Sequence, residues 1–217
     1  MDASDIAEQI REVREERAEE KAEQEAEERF RSRAALLLGV LALLMAIAGL
    51  GGDNAAEDMI ASNIHASDTW AFYQAKNVRQ TANKLAADEM EAQLLIHGKT
   101  LPAVTRGEIQ KRIDKYKATV ERYESEPDPK DPANPLKGEG KEQLAAQAKD
   151  WEVQRERASA QDANFDYSGV LLQVAIVLGS VAILATSRAV LMLAIVSGAV
   201  ASVLMVNGFL LLFKLPF

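Results

Sequence analysis

The stretch AALLLGVLALLMAIAGL, residues 34–50, contains no charged side chain and decides the class of protein. Two further apolar stretches lie near the C-terminus, SGVLLQVAIVLGSVAILAT at 168–186 and the segment 189–213. The hydrocarbon core of a bilayer is about 30 Å thick, and a helix of roughly 17–25 apolar residues crosses it. The sequence therefore predicts an all-α membrane protein with three transmembrane helices, over residues 34–52, 168–186 and 189–213.

Charged residues are concentrated outside these stretches and exclude several classes of function. The chain of 217 residues has 33 acidic and 25 basic side chains, a net charge of −8, and no cysteine. Without cysteine, disulfides, thiol catalysis and thiolate metal sites are excluded. We expect no nucleic-acid partner, because such a protein needs a basic surface to neutralise phosphates.

The distribution of charge around the first span predicts its direction. Arg29, Arg31 and Arg33 directly precede it, whereas Asp53 follows it and Asp166 precedes the second span. Positively charged flanks stay on the cytoplasmic side. We therefore expect a cytoplasmic N-terminus and an extracytoplasmic, or periplasmic, location for residues 53–166.

The N-terminal arm, residues 1–33, is rich in Glu and Arg at helical spacing. Such pairs support an isolated helix, so we predict a charged cytoplasmic helix that continues into the first span. Ile6, Ile10 and Val13 form a short apolar stripe. The arm is therefore either a solvated helix or a weak coiled coil that docks a partner.

The segment 53–166 between the first two spans reads as an extramembrane helical stalk or hairpin domain. We predict helices over about 55–96, 105–125 and 141–163, because the apolar spacing there is helical and never alternates. Four prolines exclude a helix from the loop 126–140.

Two stripes of side chains are predicted to pack these helices together. The second helix has a stripe with larger apolar side chains, namely Ile109, Ile113, Tyr116, Val120 and Tyr123. The first helix has an alanine-rich stripe at alternating spacings of four and three, predicted to face inward: Ile64, Asp68, Ala71, Ala75, Val78, Ala82, Leu85, Glu89, Ala92 and Ile96.

Helix lengths predict how these helices pair. At about 1.5 Å per residue, the first helix is roughly as long as the other two together. We expect the second helix along the distal half of the first, with Val120 near Ala82. The third helix then lies along the proximal half, with Trp151 near residues 64–71.

The stretch ASDTWAFYQAKNVRQ, residues 66–80, resembles a bacterial membrane family known as domain of unknown function 4337. Its specific part is 67–76. The charged arm, the early span, the proline-rich loop before KEQL at 141–144 and the terminal pair of spans agree with that family. The resemblance implies this architecture and a bacterial inner-membrane location, but no mechanism.

The same motif supplies the interaction candidates Trp70, Phe72, Tyr73, Gln74 and Lys76. Its three aromatic residues cannot share one narrow helical face. They either cover the alanine-rich stripe against the third helix or contact an oligomer mate or protein partner, since Trp and Tyr dominate many interfaces.

Small and polar residues within the spans are candidates for helix packing, because they permit close contact and interhelical hydrogen bonds. These span-packing candidates are Gln173, Ala194, Gly198, Ser202 and Asn207.

No catalytic or cofactor motif occurs in the sequence. His65 and His97 lack the spacing of a helical metal pair, and neither a phosphate-binding loop nor a nucleophile motif is present. We therefore expect no enzyme activity and no cofactor. The leading hypothesis is a non-enzymatic homo-oligomeric scaffold or interaction module in contact with lipid. The alternative is an oligomeric channel or transporter with Gln173 and Asn207 lining its path.

Overall fold

The computed structural model describes the backbone of residues 3–215, together with the side chains of residue 11 and residues 14–215. This part of the chain contains four helices: α1 (Ala3–His97), α2 (Ala103–Glu124), α3 (Lys141–Leu184) and α4 (Arg188–Leu210). No strand occurs within it, so the all-α prediction is confirmed. The predicted stripe of Ile6, Ile10 and Val13 lies outside the described side chains.

Three of the helices, α1, α3 and α4, are long and apolar enough to span a membrane. The helix α1 includes the charged arm, the first apolar stretch and the predicted helix 55–96 without a break. In the same way, α3 combines the predicted helix 141–163 with the second apolar stretch. The helix α4 ends at Leu210 instead of residue 213, because Leu211 adopts a left-handed conformation with φ of 49°.

The chain divides into two compact units, and α1 and α3 contribute to both. The terminal unit comprises Met1–Ala56 and Ala160–Phe217, and the central unit comprises Glu57–Ser159.

The core of the terminal unit is built from large side chains set against small ones on α1, α3 and α4. Leu41 and Leu172 are buried among Ala175 and Ala201. A Cβ atom added at Gly198 would lie 2.6 Å from Leu41 Cδ2, so glycine allows this close approach. Hydroxyl groups also join α3 to α4, since Ser168 Oγ donates to the Ala201 carbonyl at 2.8 Å.

The central unit packs α2 and the first part of α3 on α1. His65 stacks on Trp151 with ring centroids 4.6 Å apart, which confirms the predicted neighbourhood of Trp151. Gln80 donates to the Val120 carbonyl at 2.9 Å, so α2 lies along the distal part of α1 as predicted. The α2 stripe also faces inward, with Ile113 fully buried.

The inward stripe predicted for α1 is wrong. All ten of its residues are exposed, including Ile64 at 52%, Val78 at 67% and Leu85 at 63%. The buried face of α1 instead carries small and polar side chains, among them Ser62 and Lys76. Hydrophobic periodicity selected the opposite face because these inward residues are held by hydrogen bonds and close helix contact rather than by large apolar side chains.

Candidate functional site

The five motif candidates on α1 divide between the interior and the surface of the central unit. Lys76 is buried, Trp70 and Tyr73 are half-buried, and Phe72 and Gln74 are exposed. The three inward residues follow one another at a spacing of three. This spacing places them on one face of the helix, toward α3 and the loop that precedes it.

Trp70 connects α1 to α3. Its indole Nε1 donates a hydrogen bond to Glu152 Oε1 at 2.9 Å, and its ring meets Tyr73 edge to face at 5.4 Å. A half-buried tryptophan commonly finds such a polar partner for its N–H. Trp70 therefore packs α1 against α3, although the alanine-rich stripe that it was expected to cover is exposed instead.

Lys76 holds the proline-rich loop. Its ammonium lies 3.1 Å from Glu126 Oε2 and donates to the Glu139 carbonyl, while the rings of Phe72 and Tyr123 lie about 5.5 Å away. Only 4% of Lys76 is exposed. A buried charge is tolerated when it is paired and hydrogen-bonded, so Lys76 fastens both ends of the loop to α1.

The loop itself is closed by backbone and amide hydrogen bonds. The Glu139 N–H donates to the Glu126 carbonyl at 2.9 Å, and the Glu126 N–H donates to Gln143 Oε1 at 3.1 Å. Gly138 has φ of +112°, a conformation that side chains disfavour. Gln147 then donates to the Gly138 carbonyl at 2.9 Å. These hydrogen bonds therefore give the loop a defined structure despite its four prolines.

A second polar cluster joins all three helices of the central unit. Gln80 Nε2 donates to Glu124 Oε2 at 2.7 Å, and Lys141 Nζ donates to both Gln80 Oε1 and Glu124 Oε2. The hydrogen bond from Gln80, and then that from Lys141, lowers the pKa of Glu124. Sequence reasoning missed these residues, although Gln80 ends the quoted motif and Lys141 begins KEQL.

The histidines do not form a metal centre in the part of the chain that the structure describes. His65 is engaged with the Trp151 ring. Among the described residues, no group of three or more His, Asp or Glu side chains could hold a metal ion.

Asn207, a span-packing candidate, is buried and fully hydrogen-bonded. Its Nδ2 donates to Asn164 Oδ1 at 2.8 Å and to the Phe213 carbonyl at 2.9 Å, and its Oδ1 accepts from the Phe213 N–H. Its amide therefore joins α4 to α3 and holds the segment after α4.

The small span-packing candidates serve contacts within the chain. Ala194 and Gly198 are buried on the face of α4 that meets α1 and α3. Ser202 is half-buried and donates to the Gly198 carbonyl of its own helix at 2.7 Å.

Gln173, the remaining candidate, differs from the others in its exposure. Its side chain is exposed, makes no hydrogen bond to the described residues and lines a groove of about 400 Å³ between α1 and α3. Asp53, Asp162 and Asp166 line the same groove. Partial burial and the nearby Asp166 raise the pKa of Asp162.

These features define an all-α protein with three helices able to span a membrane and a helical unit placed in sequence between the first and second of them. The chain belongs to the family described as domain of unknown function, DUF4337, which matches residues 30–211. The resemblance expected from residues 66–80 is thereby confirmed. Neither a curated protein nor a solved structure matches the chain significantly.

Proposed function

We propose that the protein is a non-enzymatic integral membrane protein that acts as an oligomeric scaffold or interaction module through its central unit. The apolar outer surface of the terminal unit supports the membrane location. Leu36 is 72% exposed, Leu43 62% and Leu193 59%. In water such a surface would be costly, whereas it matches lipid.

The observation that carries the oligomeric role is the exposed apolar stripe on α1 between residues 64 and 96, here called the α1 seam. Its members are the ten residues predicted to face inward, and eight of them are apolar. Positions repeating at four and three residues form the contact line of a coiled coil. Since the seam faces away from α2 and α3, it is free to pack on another chain.

A second copy is the partner that fits the α1 seam best. Copies anchored in one membrane have α1 running in the same direction, so identical seams can pair in register. Ala75 and Ala82 allow close approach, while Val78 and Leu85 supply apolar contact. Asp68 and Glu89 would meet their own copies and weaken the pairing, as polar residues do at core positions.

The test is the mass of the full chain in detergent and in nanodiscs. Wild-type protein should be oligomeric, and Val78→Asp with Leu85→Asp should lower its mass. Lys84→Asp, an exposed charge change beside the seam, is the matched control. Glu89→Leu should strengthen association. A monomeric wild type, or an unchanged mass in the double variant, contradicts the proposal.

The proposed location is the bacterial inner membrane, with the N-terminus in the cytoplasm. The arginines before the first span and the aspartates beyond it support this orientation. Because the chain has no cysteine, single cysteines at Ser4 and Ser125 test it. An impermeant thiol reagent should label position 125, but not position 4, in intact cells; the reverse pattern contradicts the orientation.

The groove beside Gln173 favours a second candidate function, an oligomeric channel or transporter. Three carboxylates at its lining could attract cations. Asn207 does not favour it, since its amide is fully bonded within the chain. Cation flux into liposomes that is lost in Gln173→Leu would support this candidate, and the absence of flux from reconstituted protein would contradict it.

A further inference from the structure

Gln173 lies within the apolar stretch 168–186 of α3, five residues after its first residue. Phe165 of α3 packs against Gly51 of α1, and Gly179 packs against Leu38, so the two helices run antiparallel. Interpolation between these contacts places position 173 level with residues 43–44 of α1. That level is the centre of the predicted span 34–52.

Valines flank Gln173 along the exposed face of α3, while the groove that it lines also includes Asp53, Asp162 and Asp166. Val170 and Val177, one turn away on either side, are 58% and 63% exposed on the same face. Ser180, farther along that face, donates to the Ile176 carbonyl at 2.9 Å, so its hydroxyl is satisfied. Gln173 has no such bond within the described chain.

An amide in hydrocarbon without hydrogen bonds costs several kcal/mol, so a partner from outside the chain would stabilise Gln173. An amide carries both donors and an acceptor. In a symmetric dimer a residue near the two-fold axis meets its own copy. Glutamine can bond to itself across that axis, whereas a carboxylate or an ammonium would meet a like charge.

The backbone around Gln173 leaves room for another helix. A Cβ atom at Gly169, or at Gly49 across the groove, would meet no atom within 4 Å. Helices in membranes approach closely where such small residues lie. Asp166 is two turns from Gln173, and helices that cross at Gln173 diverge before they reach it.

We propose that the α3 face of Val170, Gln173 and Val177 pairs with the same face of a second copy, through reciprocal amide hydrogen bonds at Gln173. The inference rests on the proposed membrane location and homo-oligomer, but it concerns a surface separate from the α1 seam.

Cysteine cross-linking of the full chain in native membranes tests the pairing. Val177→Cys, one turn from Gln173, should form a disulfide-linked dimer on oxidation. Val196→Cys is the matched control, because the contacts of Gly198 with Ala175 and of Ala194 with Gly179 place position 196 of α4 level with position 177. It is similarly exposed, at 57%, and should not form the dimer. Absence of the Val177 cross-link, or equal cross-linking at both positions, overturns the pairing.

The role of the amide is tested by Gln173→Leu in the Val177→Cys chain. Loss of the reciprocal bonds should weaken dimerisation in nanodiscs by about threefold to tenfold. Gln173→Asn, which keeps an amide at this position, should retain part of the dimerisation that Gln173→Leu loses. Ser180→Ala, which removes a hydroxyl already satisfied within α3, should have no effect. Unchanged dimerisation in Gln173→Leu overturns the proposal.

The α1 seam variants separate this inference from the proposed function. If the mass shows an oligomer but position 177 does not cross-link, the Gln173 pairing is refuted. The α1 seam proposal is then not contradicted. A cross-link that persists while Val78→Asp with Leu85→Asp leaves the mass unchanged refutes the seam and retains the pairing.

Discussion

The ring of Phe165 occupies the space that Gly51 leaves between α1 and α3. A Cβ atom at Gly51 would lie 2.5 Å from Phe165 Cε1, and one at Gly208 of α4 would lie 2.8 Å from the same atom. Phe209 packs edge to face on the Phe165 ring, with the two ring centroids 4.8 Å apart. Phe165 therefore packs where three helices of the terminal unit meet, and glycine is required on two of them.

Gly51→Ala should destabilise the terminal unit, because the enclosed Phe165 ring cannot move away from the added methyl group. Overpacking of this kind costs about 1–3 kcal/mol. Gly39→Ala is the matched control on α1, since its Cβ would meet no atom within 4 Å. Alanine there should be neutral or stabilise by about 0.5–1 kcal/mol.

The thiol labelling rate of Ala175→Cys measures this effect, because Ala175 is fully buried in the terminal unit. Gly51→Ala should accelerate labelling in detergent and Gly39→Ala should not. Equal rates in the two variants would show that the Phe165 contact does not limit the packing.

Lys76→Met should destabilise the central unit by about 2–3 kcal/mol, because it removes the charge that fastens the loop and leaves Glu126 only its longer contact with Arg122, at 3.9 Å. Lys84→Met removes an exposed lysine from the same helix and should change stability by less than about 0.5 kcal/mol.

Tryptophan fluorescence during denaturation measures the Lys76 effect in the full chain. The two tryptophans, Trp70 and Trp151, both lie in the central unit, so the signal reports this unit alone. Equal denaturation midpoints for Lys76→Met and Lys84→Met would contradict the role of Lys76 in holding the loop.

The sequence predicts helix positions well because each depends on local features. Uninterrupted apolar runs mark the three candidate spans, and prolines mark the loop. The inward face of α2 is also predictable, since Ile113 and its stripe are large and apolar. The face of α1 is not, because Lys76 is buried by partners such as Glu126, far away in sequence. Pattern reasoning treats such a lysine as exposed.

The residues of the candidate site were likewise only partly predictable from the sequence. Trp70 and Asn207 were identifiable from residue type, since both are polar groups expected to find partners when buried. Gln173 and Asn207 look equivalent in the sequence, yet one is exposed and the other is buried. Their difference depends on which helix faces meet, and Asn164 supplies the partner from another helix.

Gln80→Leu should lower the stability of the central unit. It should also make that stability less dependent on pH. Glu124 has a lowered pKa in the folded chain, chiefly because Gln80 donates to it. The stability that ionised Glu124 contributes to the folded chain is therefore present above the ordinary pKa of 4.5. It is lost as pH falls through the lowered pKa. We expect a loss of about 1 kcal/mol at neutral pH.

Tryptophan fluorescence at pH 7 and pH 3 checks the Gln80 prediction. Gln93→Leu is the control, since Gln93 is exposed on the same helix. The stability difference between wild type and Gln80→Leu should be smaller at pH 3. A difference that is the same at both pH values would exclude the ionised Glu124 as its source.

Asp162→Asn should stabilise the terminal unit at neutral pH. Burial and the charge of Asp166 raise the pKa of Asp162 in the folded chain, so the folded state favours the protonated acid. The stability contributed by protonated Asp162 is full below the ordinary pKa of 3.8 and is lost as pH rises through the raised pKa. At pH 7 Asp162 is therefore charged and destabilises the folded state. Asparagine removes that charge, for a gain on the order of 0.5 kcal/mol that should disappear below pH 3.8. The expected result is slower labelling of Ala175→Cys at pH 7, but not at pH 3, by a pyridyl disulfide reagent that still reacts with thiols in acid, with the exposed Asp58→Asn as the control. An equal gain at both pH values would show that the charge of Asp162 is not its cause.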